Sequence, residues 1–338
     1  MIKVFTSFSG YDSQCLALER VGIDYDLVGW SEIDSYVIRA HNALFPQWEE
    51  RKYGDIRNID WNNVPDFDLF TYTSPCQDFS KVGKLEGGEK KSGTRSSLLW
   101  ECEKTISIKR PKILVMENVR NLASPRFIDL FNNWLSVLES YGYKNYWQIM
   151  NAKDYGVPQN RPRVIAVSVR NDLVETYGDF SFPNPIGLKQ PLSHYIQTNV
   201  DKKYYLYEDN AEFIISKCKD VKEYPSVLGW TRDKEGKIVN YHPVKAANCL
   251  TATKRDNTQN YILELQDGVQ RVRKFTEWEC FALMGLTETE INTVLESGVP
   301  KTFLHKMAGN SIVVDVLSEV FQNINYLFFN GDKERRIY

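Results

Sequence analysis

Cys76 directly follows Pro75 and precedes Gln77, just past the apolar run Phe67 to Thr73. Open α/β sheets bind their ligands beyond the carboxyl ends of their strands, so a thiol at that position is poised to react. A lone cysteine stripped of its neighbours reads more simply as an inert core residue; the polar Pro-Cys-Gln turn is what favours reactivity. Further along, Lys112-Ile113-Leu114-Val115-Met116-Glu117-Asn118-Val119 is an apolar strand that ends in a carboxyl and an amide. A glutamate closing a buried strand is a candidate for a raised pKa and for holding a proton near neutrality, although a plain charge at a helix N-terminus would look the same.

A second constellation suits ligand binding. Val4-Phe5-Thr6-Ser7-Phe8-Ser9-Gly10-Tyr11-Asp12-Ser13 runs from a strand through a small-residue turn into a helix, which lets backbone amides approach a nucleotide-like group. Alone, such a turn is common architecture. Glu32 follows at the next strand end, roughly 20 residues on, the spacing at which a carboxylate accepts both ribose hydroxyls. Gly54-Asp55-Ile56 adds a carboxylate and an apolar side chain suited to an adenine amino group and ring face. Three such elements at successive strand ends predict an adenosyl ligand.

These groups need a sheet to carry them. Short apolar runs at Ile2 to Phe8, Asp26 to Trp30, Phe67 to Thr73, Ile113 to Met116 and Val164 to Val169 alternate with amphipathic segments, which predicts a largely parallel α/β sheet with crossover helices. Phe127, Leu130, Phe131, Trp134, Leu135 and Leu138 form one helical stripe for packing. From about Phe182 the prolines and tyrosines break the periodicity, and a strand at Asn260 to Leu265 precedes an Asp267-Gly268 turn signal. Helical patterning resumes near Thr276 and ends in an amphipathic helix through Ile312, Val316, Val320 and Ile324. With 338 residues and 42% hydrophobic composition, one large and one smaller lobe are expected. A net charge of -2 gives no global nucleic-acid signature, so any DNA-facing charge must be local. The six cysteines form no C-x-x-C pair, so no metal site and no disulfide framework are predicted. The opening MIKVFTSF reads as a strand, and no apolar run approaches a membrane span, so a soluble cytoplasmic protein with no membrane contact is expected.

Taken together and in order, these motifs resemble the cytosine-C5 DNA methyltransferases of bacteria and phages across most of the chain. The matching segments are Phe8-Ser9-Gly10, Pro75-Cys76-Gln77, Glu117-Asn118-Val119 and Gln159-Asn160-Arg161-Pro162-Arg163. After a variable stretch come Arg273-Lys274-Phe275-Thr276 with Glu279-Cys280, and Gly309-Asn310-Ser311. The chain departs from the family where Asp12 and Ser13 replace the usual glycines.

The resemblance implies a doubly wound, Rossmann-like sheet over 1–180 plus 303–330, with a smaller loop- and strand-rich target-recognition domain and hinge over 181–302. It implies S-adenosylmethionine as cofactor, held by Phe8, Ser9, Gly10, Tyr11, Asp12, Ser13, Glu32, Ile33, Asp55, Ile56, Pro75, Leu98, Asn310 and Ser311, with S-adenosylhomocysteine as product. It implies catalysis by Cys76, Glu117, Asn118, Arg161 and Arg163: a thiolate on cytosine carbon-6, a protonated Glu117 at ring nitrogen-3 oriented by Asn118, and Arg163 on the base carbonyl. The base would be flipped from duplex DNA. Gln77, Ser80, Lys81, Lys84, Arg95, Arg232, Thr251, Lys254 and Arg255 are the DNA-facing candidates, with Asn248, Thr253 and Asn257 as further readers. Lys81 to Arg95, rich in glycine and lysine, reads as a loop closing over DNA. A monomer, with a cognate restriction endonuclease as a possible companion, is expected. Two other readings share the motifs: a tRNA-like RNA cytosine-C5 methyltransferase, and a DNA-binding protein that keeps the fold without catalysis.

Overall fold

The computed structural model describes residues 1–74, 98–252 and 260–329. In chain order the elements are β1 (Ile2–Ser7), α1 (Ser13–Arg20), β2 (Tyr25–Ser31), α2 (Ser35–Leu44), β3 (Leu69–Tyr72), α3 (Leu99–Lys109), β4 (Ile113–Val119), α4 (Ile128–Ser140) and β5 (Tyr143–Asn151). There follow β6 (Tyr155–Gly156), β7 (Gln159–Asn160), β8 (Pro162–Arg170), α5 (Asn171–Tyr177), β9 (Gly187–Leu188), α6 (Glu208–Ser216), β10 (Ser226–Arg232), β11 (Ile238–Pro243) and β12 (Ala247–Asn248). The last are β13 (Tyr261–Gln266), β14 (Val269–Lys274), α7 (Glu277–Ala282), α8 (Glu288–Glu296), α9 (Lys301–Asn310) and α10 (Val314–Ile324).

The chain divides into two compact units, residues 1–150, 162–184 and 314–338 forming the first and 151–161 with 185–313 the second. The first is built on a six-stranded sheet of order β2-β1-β3-β4-β8-β5. β1 pairs in parallel with β2 and β3, and β3 with β4, so the strand order reverses at β1 and opens a crevice at the carboxyl ends of β1 and β3. β8 runs antiparallel to β4, so the sheet is largely but not wholly parallel. An apolar run such as Val164 to Val169 reports burial on both faces and carries no information on direction. One face of the sheet holds an aromatic core of Phe5, Trp61, Phe70, Tyr72, Trp100, Phe131 and Trp134. Elsewhere in the unit α10 packs against α1, and Val316, Val320 and Ile324 are buried as their spacing predicts. The long apolar stretch Lys301–Phe329 that contains α10 is mostly buried, as a core segment would be.

The second unit contains an antiparallel sheet of order β11-β10-β13-β14, whose core is Leu228, Tyr241, Leu263 and Val272 with Ile214 from α6. Asp267 and Gly268 both have positive φ, the conformation a two-residue hairpin needs between β13 and β14. Capping boxes, Thr276 with Glu279 and Thr287 with Glu290, start α7 and α8. This unit also takes in 151–161 and α9, where the resemblance had put 1–180 and 303–330 together. The reason is visible in its bonds: Gln159 and Arg161 reach Leu250, Leu283, Gly309 and Ser311.

Candidate active site

The turn after β1 is shaped by backbone conformation. Phe8, Gly10 and Asp12 all have positive φ, so the chain turns tightly here, and its amides are tied down: the Ser9 N–H donates to Ser31 O (3.1 Å) and the Asp12 N–H to Ser9 O (2.9 Å). Asp12 caps α1 by accepting from the Cys15 N–H (3.3 Å), and its other oxygen accepts from the Thr6 hydroxyl (2.8 Å). His41 Nε2 lies 3.4 Å from the same carboxylate, and the His41 ring stacks on Trp30. Ser9, Tyr11, Asp12 and Ser13 are buried and frame the turn, while Phe8 and Gly10 stay partly open.

Beyond β2, Glu32 braces this turn. One carboxylate oxygen accepts from the Gly10 N–H (3.2 Å) and the other from the N–H groups of Ile33 (2.7 Å) and Asp34 (3.0 Å). A carboxylate has about four lone-pair sites, so three bonds leave capacity for a hydroxyl. Ile33 is 68% exposed beside it, an apolar surface just past the end of β2. Asp55 is gripped by the Arg57 fork (3.0 and 3.1 Å from Nε), which holds its carboxyl below the usual range. Ile56 is buried in the aromatic core. Leu98 is half-buried at the start of α3. An adenosyl group fits this set: a carboxylate with acceptor capacity left over and an exposed aliphatic face beside it.

At the end of β3, Thr73 and Ser74 were not singled out from sequence, though both adjoin the Pro-Cys turn. Thr73 donates its hydroxyl to the Phe8 carbonyl (2.9 Å), tying the turn after β1 to the end of β3. The Asn118 amide donates to the Ser74 carbonyl and hydroxyl (both 3.4 Å), and its oxygen accepts from the Val119 N–H (2.9 Å). Among the described residues, Asn118 thus braces the end of β3; its bonds run to Ser74 and Val119. Glu117 pairs with Arg163 Nε across the β4–β8 ladder at 3.1 Å, both side chains largely but not wholly covered. Pro75, Cys76, Gln77, Ser80, Lys81, Lys84 and Arg95 lie outside the described residues, as do Thr253, Lys254, Arg255 and Asn257.

In the second unit, Arg161 donates to the carbonyls of Leu250 (2.7 Å), Gly309 (2.8 Å) and Ser311 (2.6 Å). Asn310 is exposed at the end of α9, and the Ser311 hydroxyl donates to Ala308 O (2.8 Å). Arg232 donates to Gly236 O within its own hairpin (2.5 Å), and Thr251 is half-buried.

Comparison with known proteins matches residues 2–326 to the family model for C-5 cytosine-specific DNA methylases. The type II methyltransferase M2.ScrFI of Lactococcus lactis subsp. cremoris is 33% identical, the alignment covering 96% of this chain and 99% of that protein. M.Bsp6I of Bacillus sp. (strain RFL6) is 32% identical over 96% and 98%. Among solved structures, the S. pombe Dnmt2 methyltransferase has a similar fold, with a TM-score of 0.69 at 18% identity over 96% and 98% of the two chains. Spodoptera frugiperda DNMT2 does as well, with a TM-score of 0.72 at 17% identity over 96% and 99%. With its ordered motifs and with family and relatives matched over nearly its whole length, this chain belongs to the C-5 cytosine-specific DNA methylases and is a DNA cytosine-C5 methyltransferase.

Proposed function

We propose that this enzyme transfers a methyl group from S-adenosylmethionine to carbon-5 of a cytosine flipped out of a specific duplex DNA sequence, through a covalent bond between Cys76 and carbon-6. The observation that carries the reading is local. Asn118 holds Ser74, which immediately precedes Pro75-Cys76, and the adjoining Glu117 is paired with Arg163. A carboxyl and a guanidinium therefore stand at the end of β4, next to the strand that delivers the nucleophile in sequence.

Carbon-5 of cytosine is a poor nucleophile, and addition of the Cys76 thiolate to carbon-6 makes it enamine-like. The electron pair displaced by this addition moves toward ring nitrogen-3, where Glu117 shares a proton, while Arg163 holds the base carbonyl. Bound S-adenosylmethionine would supply an electrophilic methyl group, with S-adenosylhomocysteine as the product. Glu32, Ile33, Asp55 and the Phe8–Gly10 turn are the residues of the first unit that would hold it. Carbon-5 then loses its proton and the sulfur–carbon bond breaks, which returns the thiolate and yields 5-methylcytosine. Flipping costs a few kcal/mol of unstacking, supplied by contacts to the duplex.

Bisulfite sequencing of DNA from cells expressing the chain should show 5-methylcytosine confined to one sequence. Duplex DNA with 5-fluorocytosine at that site should trap a covalent complex that Cys76→Ala does not form. An adduct surviving in Cys76→Ala would refute the assigned nucleophile, and methylation of tRNA with none of DNA would refute the substrate.

A further inference from the structure

Arg161 sits among the motif residues tied above to catalysis, yet its bonds describe another task. The side chain is 3% exposed, and its guanidinium bonds to carbonyls 89, 148 and 150 residues away, at Leu250, Gly309 and Ser311. Gln159, also buried, bridges the same region: its amide donates to Leu283 O (2.7 Å) and its oxygen accepts from the Leu250 N–H (3.0 Å). Gly309 approaches this segment so closely that a Cβ on it would lie 2.4 Å from the Thr251 carbonyl carbon and oxygen. Asn260 closes the segment from its far stem, accepting from the Asn248 N–H (2.8 Å) and donating to Asn248 O (3.1 Å).

The backbone of 248–252 is thus fixed by partners from three other parts of the chain, chiefly through main-chain atoms, so its position is set whatever side chains it carries. A buried guanidinium is costly to desolvate, and a planar fork on several carbonyls fixes direction as well as distance. In sequence this segment runs straight into Lys254 and Arg255. Hydrogen-bond readout of base edges depends on such placement, since one mismatched pair costs on the order of 10- to 100-fold in affinity.

We propose that Arg161 is a positioning residue for target recognition, which sets the 248–252 backbone from which duplex DNA is read. The inference rests on the function proposed above. Arg161→Lys keeps the charge but loses the fork. In the full-length protein it should raise methylation at sites differing by one base pair, measured against the cognate site, by about tenfold or more. Its KM for DNA should rise by more than kcat falls. Asn260→Asp, which keeps the acceptor but loses the donor to Asn248 O, should shift selectivity in the same direction and decides the matter if Arg161→Lys is insoluble. A loss confined to kcat, or a lowered melting temperature with selectivity and KM intact, overturns the proposal. A native chain that methylates no DNA refutes the proposed function and this inference with it. Site-specific methylation by the native chain with unchanged selectivity in the variants refutes this inference alone.

Discussion

Asp12 occupies a left-handed position (φ 67°, ψ 57°) where the family resembled in sequence usually has glycine. Aspartate tolerates that conformation better than most residues, and here it also caps α1 and receives Thr6. Alanine would keep the backbone cost and lose both bonds, so Asp12→Ala should lower unfolding free energy by about 2 kcal/mol in urea titrations, and Asp12→Gly by about 1 kcal/mol. An equal loss for both would mean that the left-handed backbone is not what selects the residue. The thiols differ in the same local way. Burial pushes Cys15, Cys102 and Cys280 well above the ordinary thiol range and Cys218 up to about 11, which keeps them protonated at pH 8. Iodoacetamide at that pH should therefore modify Cys76 before any of these four, as read by peptide mass spectrometry. Prior labelling of Cys218 would contradict the ranking. Glu117→Gln keeps the shape and removes the acid, so kcat should fall by about 100-fold or more while DNA affinity changes little.

Secondary-structure elements are joined here by buried polar ties as much as by apolar packing. Arg273 on β14 is wholly buried and bonds to Glu264 on β13 (2.6 Å), to both oxygens of Glu279 on α7 (2.8 and 2.9 Å), and to Gln197 O (2.9 Å). Glu279 is also the N3 residue of the α7 capping box and accepts from the Gln197 N–H (2.8 Å), so one cluster ties a hairpin, a helix start and a loop. Removing only the cation would strand two carboxylates away from water. Arg273→Leu should cost about 3–5 kcal/mol by denaturant unfolding, and adding Glu279→Gln should recover part of that loss. Lack of any recovery would show that packing, not charge, sets the cost. In the first unit the corresponding joint is apolar: Trp134 is fully buried against Trp100 and Tyr72 and donates to the Tyr72 hydroxyl (3.2 Å). Its neighbours on the α4 stripe, Phe131, Leu135 and Leu138, are buried as their spacing predicted.

At the scale of the molecule, a net charge of -2 leaves DNA affinity to a few local cations. Each phosphate contact contributes about -0.9 to the slope of log affinity against log salt. Replacing Lys81 and Lys84 together by alanine should make that slope shallower by about 2, with the recognition sequence unchanged. An unchanged slope would remove both lysines from the DNA contact.

The order and spacing of motifs determined the family and marked the strand ends at which the nucleophile and ligand groups are proposed, because those are local: a turn, a short apolar run, a polar residue at its end. Burial periodicity also determined which faces of α4 and α10 point inward. Tertiary structure alone decided that β8 runs antiparallel, that Ile56 is core while Ile33 is open, and that Asp12 turns inward. It alone joined Arg161 to Ser311, which lies 150 residues further along the chain. Periodicity reports how much of a segment is covered, but strand direction and the partner of a buried donor depend on which distant segment folds against it, and no local pattern encodes that.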